Sequence, residues 1–158
     1  MHERWKSVIE DSVGLEMSKL ISYSEILDVL HTFNDSFNPQ VSEKVGSLEE
    51  YAKKISTFAI TYTINRNDEV VGFISFYVNE KEVYITLIAT KRTERRNKLG
   101  TQLLNKALEY CKKNCLSYVR LEVDNQNNIA QRFYEKHGFT SESKSSKTTT
   151  YYIYKSCS

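Results

Sequence analysis

Apolar positions along the chain change period several times, and each change marks an element. Trp5, Val8, Ile9 and Val13 recur at helical spacing with Gly14 close behind, which predicts a short amphipathic helix over residues 3–13. Leu20 and Ile21 belong to a first strand. SEILDVLHTF then sets Ile26, Leu27, Leu30 and Phe33 on one helical face, with Ser24 as its cap. Residues 37–46 hold the only proline, Pro39, among polar side chains and read as a loop. A second helix starts at Ser47, where Glu50 supplies the third position of a capping box and Leu48, Tyr51, Ala52 and Ile55 form the buried face.

FAITYTI, EVVGFISFYV and VYITLIA follow as three β-branched strands separated by the turn formers NRND and NEKE, and an antiparallel meander is their simplest arrangement. Leu103, Leu104, Ala107, Leu108 and Cys111 then return to helical spacing, and residues 118–123 form another strand. A strand, helix, strand crossover favours parallel pairing of that strand with VYITLIA, so the sheet is mixed. A short helix carrying Ile129, Ala130, Phe133 and Tyr134 stops at Gly138, and Phe139 follows. FTSESKSS and TTTYYIYKS close the chain as a hairpin, and neither a repeat nor a linker interrupts a single domain over 1–158.

With 158 residues the chain has the length of one domain, able to bury about 70% of the surface its unfolded form exposes without help from a cofactor or disulfide. A net charge of +2 is nearly balanced, which argues against nucleic acid as a main partner. Cys111, Cys115 and Cys157 make an odd count, unlike a secreted disulfide scaffold, and the expected setting is a reducing cytoplasm. Cys111 and Cys115 lie four apart on a helix without a histidine pair at zinc spacing, so buried or half-buried thiols are expected and no metal. The charged start MHERWKSVIEDSVG has no signal-peptide core, and no run reaches the ~20 apolar residues of a membrane span.

Local charge changes this picture at one place. Lys91, Arg92, Arg95, Arg96 and Lys98 put five cations into eight positions between the VYITLIA strand and the helix that follows. A helix start carries N–H groups without intrahelical partners and the positive end of the dipole, so an anion such as a phosphate suits this arm; a solvated basic loop is the plain alternative.

Two motifs in this order resemble the GNAT superfamily, the Gcn5-related N-acetyltransferases that move an acyl group from acyl-coenzyme A to an amine. The arm is similar to the family's Q/R-x-x-G-x-G/A loop, with Arg95 at the Q/R position, Lys98 at the first glycine and Gly100 at the second. Downstream, Asn127, Ala130, Tyr134, Gly138 and Phe139 match its N-x-x-A-x-x-x-Y-x-x-x-G-F helix. The resemblance covers roughly residues 70–139 and implies an α+β fold: a mixed, mostly antiparallel sheet with a splayed parallel strand pair and flanking helices. It also implies acetyl-CoA as acyl-donor cosubstrate. Pantetheine would pair with backbone near Ile88 and Thr90, and the pyrophosphate would sit on Arg95, Arg96, Asn97, Lys98, Leu99, Gly100 and Thr101. Asn127 would contact the cofactor or fix the turn before its helix. Lys98 departs from the family glycine; it can present its N–H if its φ is negative, and its ammonium can itself meet a phosphate.

The resemblance places Tyr134 as the residue that protonates the departing thiolate, a task suited to a phenol that is neutral at pH 7. Many relatives carry a glutamate where this chain has Tyr84; Glu82, two residues earlier on the same strand face, is the candidate base, with a water relay as the alternative. The expected function is acetyl transfer to a primary amine of a small molecule or peptide by direct attack in a ternary complex. The alternative is an acyl-CoA-binding or sensing module without turnover. The two N-terminal helices and the tail hairpin, with Tyr23, Tyr51, Tyr62, Tyr77 and Tyr151, are the expected amine-facing surface. A homodimer is compatible with the sequence.

Overall fold

The computed structural model describes residues 6–8, 14–37 and 40–155. In chain order the elements are β1 (Lys6–Val8), β2 (Leu15–Leu20), α1 (Tyr23–Phe33), a 3-10 turn (Asn34–Ser36), α2 (Val41–Val45), α3 (Leu48–Phe58), β3 (Ala59–Arg66), β4 (Glu69–Val78) and β5 (Glu82–Thr90). A second 3-10 turn (Arg92–Asn97), α4 (Leu99–Lys113), β6 (Tyr118–Asp124), α5 (Asn128–Lys136), β7 (Thr140–Lys144) and β8 (Thr149–Lys155) complete the described chain. Contacts divide it into two compact units, Met1–Tyr77 with Leu87–Lys106 and Val78–Thr86 with Ala107–Ser158, so β5 and α4 contribute residues to both.

In the first unit β1, β2, β3 and β4 pair antiparallel in sequence order. The β3–β4 hairpin closes on Asn67 and Asp68, both at positive φ, the backbone that a two-residue turn between right-twisted strands requires. One sheet face is covered by α1 and α3: Ile26, Val29, Leu30 and Phe33 join Leu48, Ala52 and Ile55 around Phe73 and Leu87. Phe33 and Phe73 meet at 5.2 Å between ring centroids. Gly72 of β4 allows a close approach by α4, since a Cβ there would lie 3.2 Å from Leu103 Cδ1 and 3.3 Å from the Ala89 carbonyl oxygen.

In the second unit β6 pairs with β5 in parallel and with β8 antiparallel, and β8 pairs with β7. Val119, Leu121 and Val123 are buried at alternate positions of β6, as a half-buried strand dictates, together with Cys111 of α4 and Tyr134 of α5. The fold is mixed α/β with mostly antiparallel pairing and one parallel strand pair among the described residues, as expected.

Four local expectations are corrected. Residues 6–8, placed in a helix over 3–13, form a strand against Glu16, Met17 and Ser18; residues 3–5 and 9–13 lie outside the described residues. Ser22, not Ser24, caps α1, its hydroxyl accepting the Glu25 N–H. The loop over 37–46 contains the helical turn α2, tied to the preceding 3-10 turn by Asn34 Oδ1, which accepts the Ser42 N–H at 2.9 Å. Cys115 lies past the end of α4, exposed and at φ +56°, so it does not share a helix face with buried Cys111; Cys157 is outside the described residues.

Candidate active site

The basic arm is a 3-10 turn over Arg92–Asn97 held at both ends. At its start the Lys91 N–H donates to the Val71 carbonyl at 2.8 Å and its ammonium pairs with Glu69. The only acid of the turn, Glu94, is 8% exposed and accepts two hydrogen bonds of 2.8 Å from Arg66 Nε and Nη2. A bidentate guanidinium–carboxylate pair fixes orientation as well as position, so Arg66 of β3 anchors the arm. Those hydrogen bonds hold the Arg66 guanidinium above its ordinary value, against the opposing cost of burial.

Lys98 ends the turn at φ +56°, ψ +34°, in the left-handed region. The condition set by the sequence, a negative φ, is not met. An L-residue pays about 1–2 kcal/mol for this backbone, which glycine adopts without a Cβ clash. α4 begins at the next residue, its first turn marked by the Gln102 N–H donating to the Lys98 carbonyl at 3.2 Å. Leu99, buried, and Gly100 and Thr101, half-buried, thus form the N-terminal turn of a 15-residue helix, where the dipole favours an anion. Of Arg95, Arg96 and Asn97 the backbone is in the turn; their side chains are outside the described residues. Ile88 and Thr90 are half-buried in β5.

In the second unit the parallel pairing is short. Glu82, Val83 and Tyr84 pair with Tyr118, Val119 and Arg120, and the ladder stops there although β6 runs on to Asp124. At that end the Tyr84 hydroxyl donates to Glu122 Oε1 at 3.0 Å. Ser145 Oγ and Thr149 Oγ1 each donate to Glu122 Oε2 at 3.2 Å. Burial first, and then the Glu122 charge, raise the Tyr84 phenol well above its ordinary value, so it stays a neutral donor. Arg120 lies between two rings, 5.0 Å from the centroid of Tyr84 and 4.4 Å from that of Tyr151. Its guanidinium also grips Glu82, Nε to Oε1 at 2.8 Å and Nη2 to Oε2 at 3.2 Å. Glu82 thus spends both oxygens on a cation, whereas Glu122 is exposed to solvent and, among the described residues, accepts from neutral hydroxyls only.

On α5, Asn127 is the N-cap: its Oδ1 accepts the Ala130 N–H at 3.0 Å, which fixes the turn before the helix. Tyr134 is 5% exposed, with Phe133 and Phe139 rings at 5.1 and 5.5 Å. Burial raises its phenol, which is therefore neutral at any physiological pH. Its hydroxyl makes no hydrogen bond to another described residue, so its proton is available for donation. Gly138 follows at φ +91°, where a Cβ would lie 3.1 Å from the Tyr154 ring. His137 caps the helix end, its Nδ1 2.8 Å from the Phe133 carbonyl, and His31 is exposed on α1. Among the described residues no three His, Cys, Asp or Glu side chains converge as metal ligands.

Sequence reasoning did not single out Glu94, Arg66, Glu122 or Arg120. The signal for the last two was the alternation in YVRLEVD, which turns Arg120 and Glu122 to the face opposite Val119, Leu121 and Val123. Glu94 was legible only as the one acid inside a basic run.

The sequence matches the acetyltransferase (GNAT) family over residues 26–139, and the chain belongs to that family. It is 33% identical over 113 residues to N-alpha-acetyltransferase 50 of Danio rerio, a match that covers 68% of this chain and 60% of that protein's length. Among solved structures it resembles Ard1 from Thermoplasma volcanium, with a TM-score of 0.73 and 23% identity over 92% of this chain and 100% of that one. PaiA N-acetyltransferase from Thermoplasma acidophilum in complex with coenzyme A gives a TM-score of 0.71 and 18% identity over 91% of this chain and 100% of that one. Among the described residues no helix is long and apolar enough to cross a membrane.

Proposed function

We propose that the chain transfers an acetyl group from acetyl-CoA to the primary amine of a peptide or small molecule by direct attack in a ternary complex. The observation that carries this reading is the hydrogen-bonded Tyr84–Glu122 pair at the point where the parallel strands stop pairing. The relationship to an N-alpha-acetyltransferase favours a peptide α-amine within that class.

Acetyl-CoA supplies an activated acyl carbon and a thiolate leaving group. The first turn of α4 and the arm before it fit its pyrophosphate, because the left-handed residue 98 turns the backbone into a helix start that favours negative charge. Ile88 and Thr90 offer β5 backbone to the pantetheine arm. Glu122 takes the proton of the incoming ammonium, directly or through water, while the neutral Tyr84 hydroxyl holds the carboxylate in place. As the N–C bond forms and the C–S bond breaks, Tyr134 gives its proton to the sulfur, the nitrogen releases its second proton to solvent as it becomes an amide, and Tyr134 and Glu122 return to their starting protonation by exchange with solvent. Glu82, held by Arg120, positions β5 against β6 instead of acting as base.

Thiol release with saturating acetyl-CoA and a panel of peptides and small amines tests this directly. Glu122→Gln, whose amide cannot accept the proton, should lower turnover about 100-fold at neutral pH while cofactor affinity holds. Cofactor binding without thiol release for any amine would instead identify an acyl-CoA-binding or sensing module.

A further inference from the structure

A cavity of about 410 Å³ opens in the first unit between α1, the β3–β4 hairpin and Lys91, and none of the residues assigned to acetyl transfer lines it. Its floor is polar and unsatisfied. Among the described residues, Thr63 is fully buried and its hydroxyl has no hydrogen-bond partner, and Asn65 Oδ1 beside it is also buried without one. Buried polar atoms without partners are destabilising, so a floor with two of them suits a ligand that brings donors.

The rim supplies charge. Glu25, Asp28, Asp68 and Glu69 line the cavity against the single cation Lys91. Glu69 pairs with Lys91, and Glu25 accepts from Ser22. The carboxylates of Asp28 and Asp68 have no partner among the described residues. Leu20, Val29 and Val70 complete the wall with apolar surface. The carboxylates do not converge as a metal-ligating group.

We infer that this cavity binds an organic ammonium ion, a short alkyl amine or diamine whose N–H groups reach Thr63 and Asn65 and whose charge is met by Asp28 and Asp68. An ammonium offers three donors and no acceptor, the complement of a floor made of oxygens, and its alkyl stem matches the apolar wall. This inference does not depend on the acetyl-transfer reading.

The test is calorimetric titration of the full chain, without acetyl-CoA and at low ionic strength, with diaminobutane, tetramethylammonium and calcium chloride. Diaminobutane should bind at millimolar concentration or below, and the Asp28→Asn, Asp68→Asn double variant should weaken it about tenfold or more. Thr63→Val should weaken it as well while raising the melting temperature, because an unsatisfied hydroxyl is removed, so lost binding there cannot be ascribed to misfolding. Glu122→Gln should leave this binding intact. Absence of heat at millimolar diaminobutane overturns the inference, as does equal binding of tetramethylammonium or calcium. Binding that disappears in Glu122→Gln and survives in the pocket variants also overturns it, since the amine would then sit at the acetyl-transfer site.

Discussion

Replacing Lys98 by glycine should make the protein more stable, although it removes a whole side chain. Lys98 sits at φ +56°, ψ +34°, where an L-residue is disfavoured by about 1–2 kcal/mol. Glycine escapes that cost but gives its unfolded chain more freedom, a loss of about 0.5–1 kcal/mol. The difference predicts a net gain near 1 kcal/mol, or a rise in melting temperature of roughly 2–4 °C for a chain of this size. Lys98 is exposed, so no lost packing offsets the gain.

Lys98→Ala is the necessary control, since alanine keeps the Cβ and removes the charge. It should stay within about 0.5 kcal/mol of the parent in denaturant unfolding, with an unchanged m-value in all three proteins. A Lys98→Gly protein no more stable than Lys98→Ala would refute the backbone argument and with it the equivalence of residue 98 to the family's first glycine. Calorimetry with acetyl-CoA on the same proteins separates the two ways a lysine can act here. Tighter binding by the glycine variant means that the Cβ obstructs a close backbone approach. Weaker binding by both variants means that the ammonium is a phosphate ligand.

Tyr134→Phe should lower turnover by about 100-fold or more while leaving acetyl-CoA affinity and melting temperature nearly unchanged, because the lost hydroxyl has no described partner; a collapse of affinity would mark Tyr134 as structural. Stability should also fall in alkali. Burial pushes the Tyr77 phenol up from 10.0 to about 12, so between those values the unfolded chain releases a proton that the folded chain keeps. Stability is thus fully present below pH 10 and declines as pH rises toward 12. Tyr77→Phe, which also removes a buried unpaired hydroxyl, should flatten that decline and add about 1 kcal/mol at pH 7, as followed by chemical unfolding across the pH range.

What the sequence disclosed and what it hid divide along the range of the interactions involved. Ser47 capping the Glu50 N–H, the Asn67–Asp68 turn and the left-handed stop at Gly138 are settled within a few residues, and each was readable from residue types alone. The helix expected over 3–13 failed because four apolar residues at helical spacing do not reveal that β2 is available as a ladder partner for Lys6–Val8. The loop expected at 37–46 hides one helical turn for the same reason: its tie is Asn34 to Ser42, eight residues apart. The site follows this division. The cationic arm and the Tyr134 helix are contiguous motifs and stood out. Glu94 answers Arg66 across 28 residues, and Glu122 answers Tyr84 across 38.

Those long-range pairs become visible once a register is known. With Tyr84 opposite Arg120, the alternation of β6 brings Glu122 to the same face one step beyond the last paired residue, at the end where the ladder stops. A one-residue slip would bury Glu122 and present Leu121 or Val123 in its place, so the position of the proposed proton acceptor is a consequence of strand register. The Glu82–Arg120 ion pair across β5 and β6 holds that register. This gives Glu82 a reason to be present that differs from the one its position first suggested: it sets where Glu122, the proposed proton acceptor, lies.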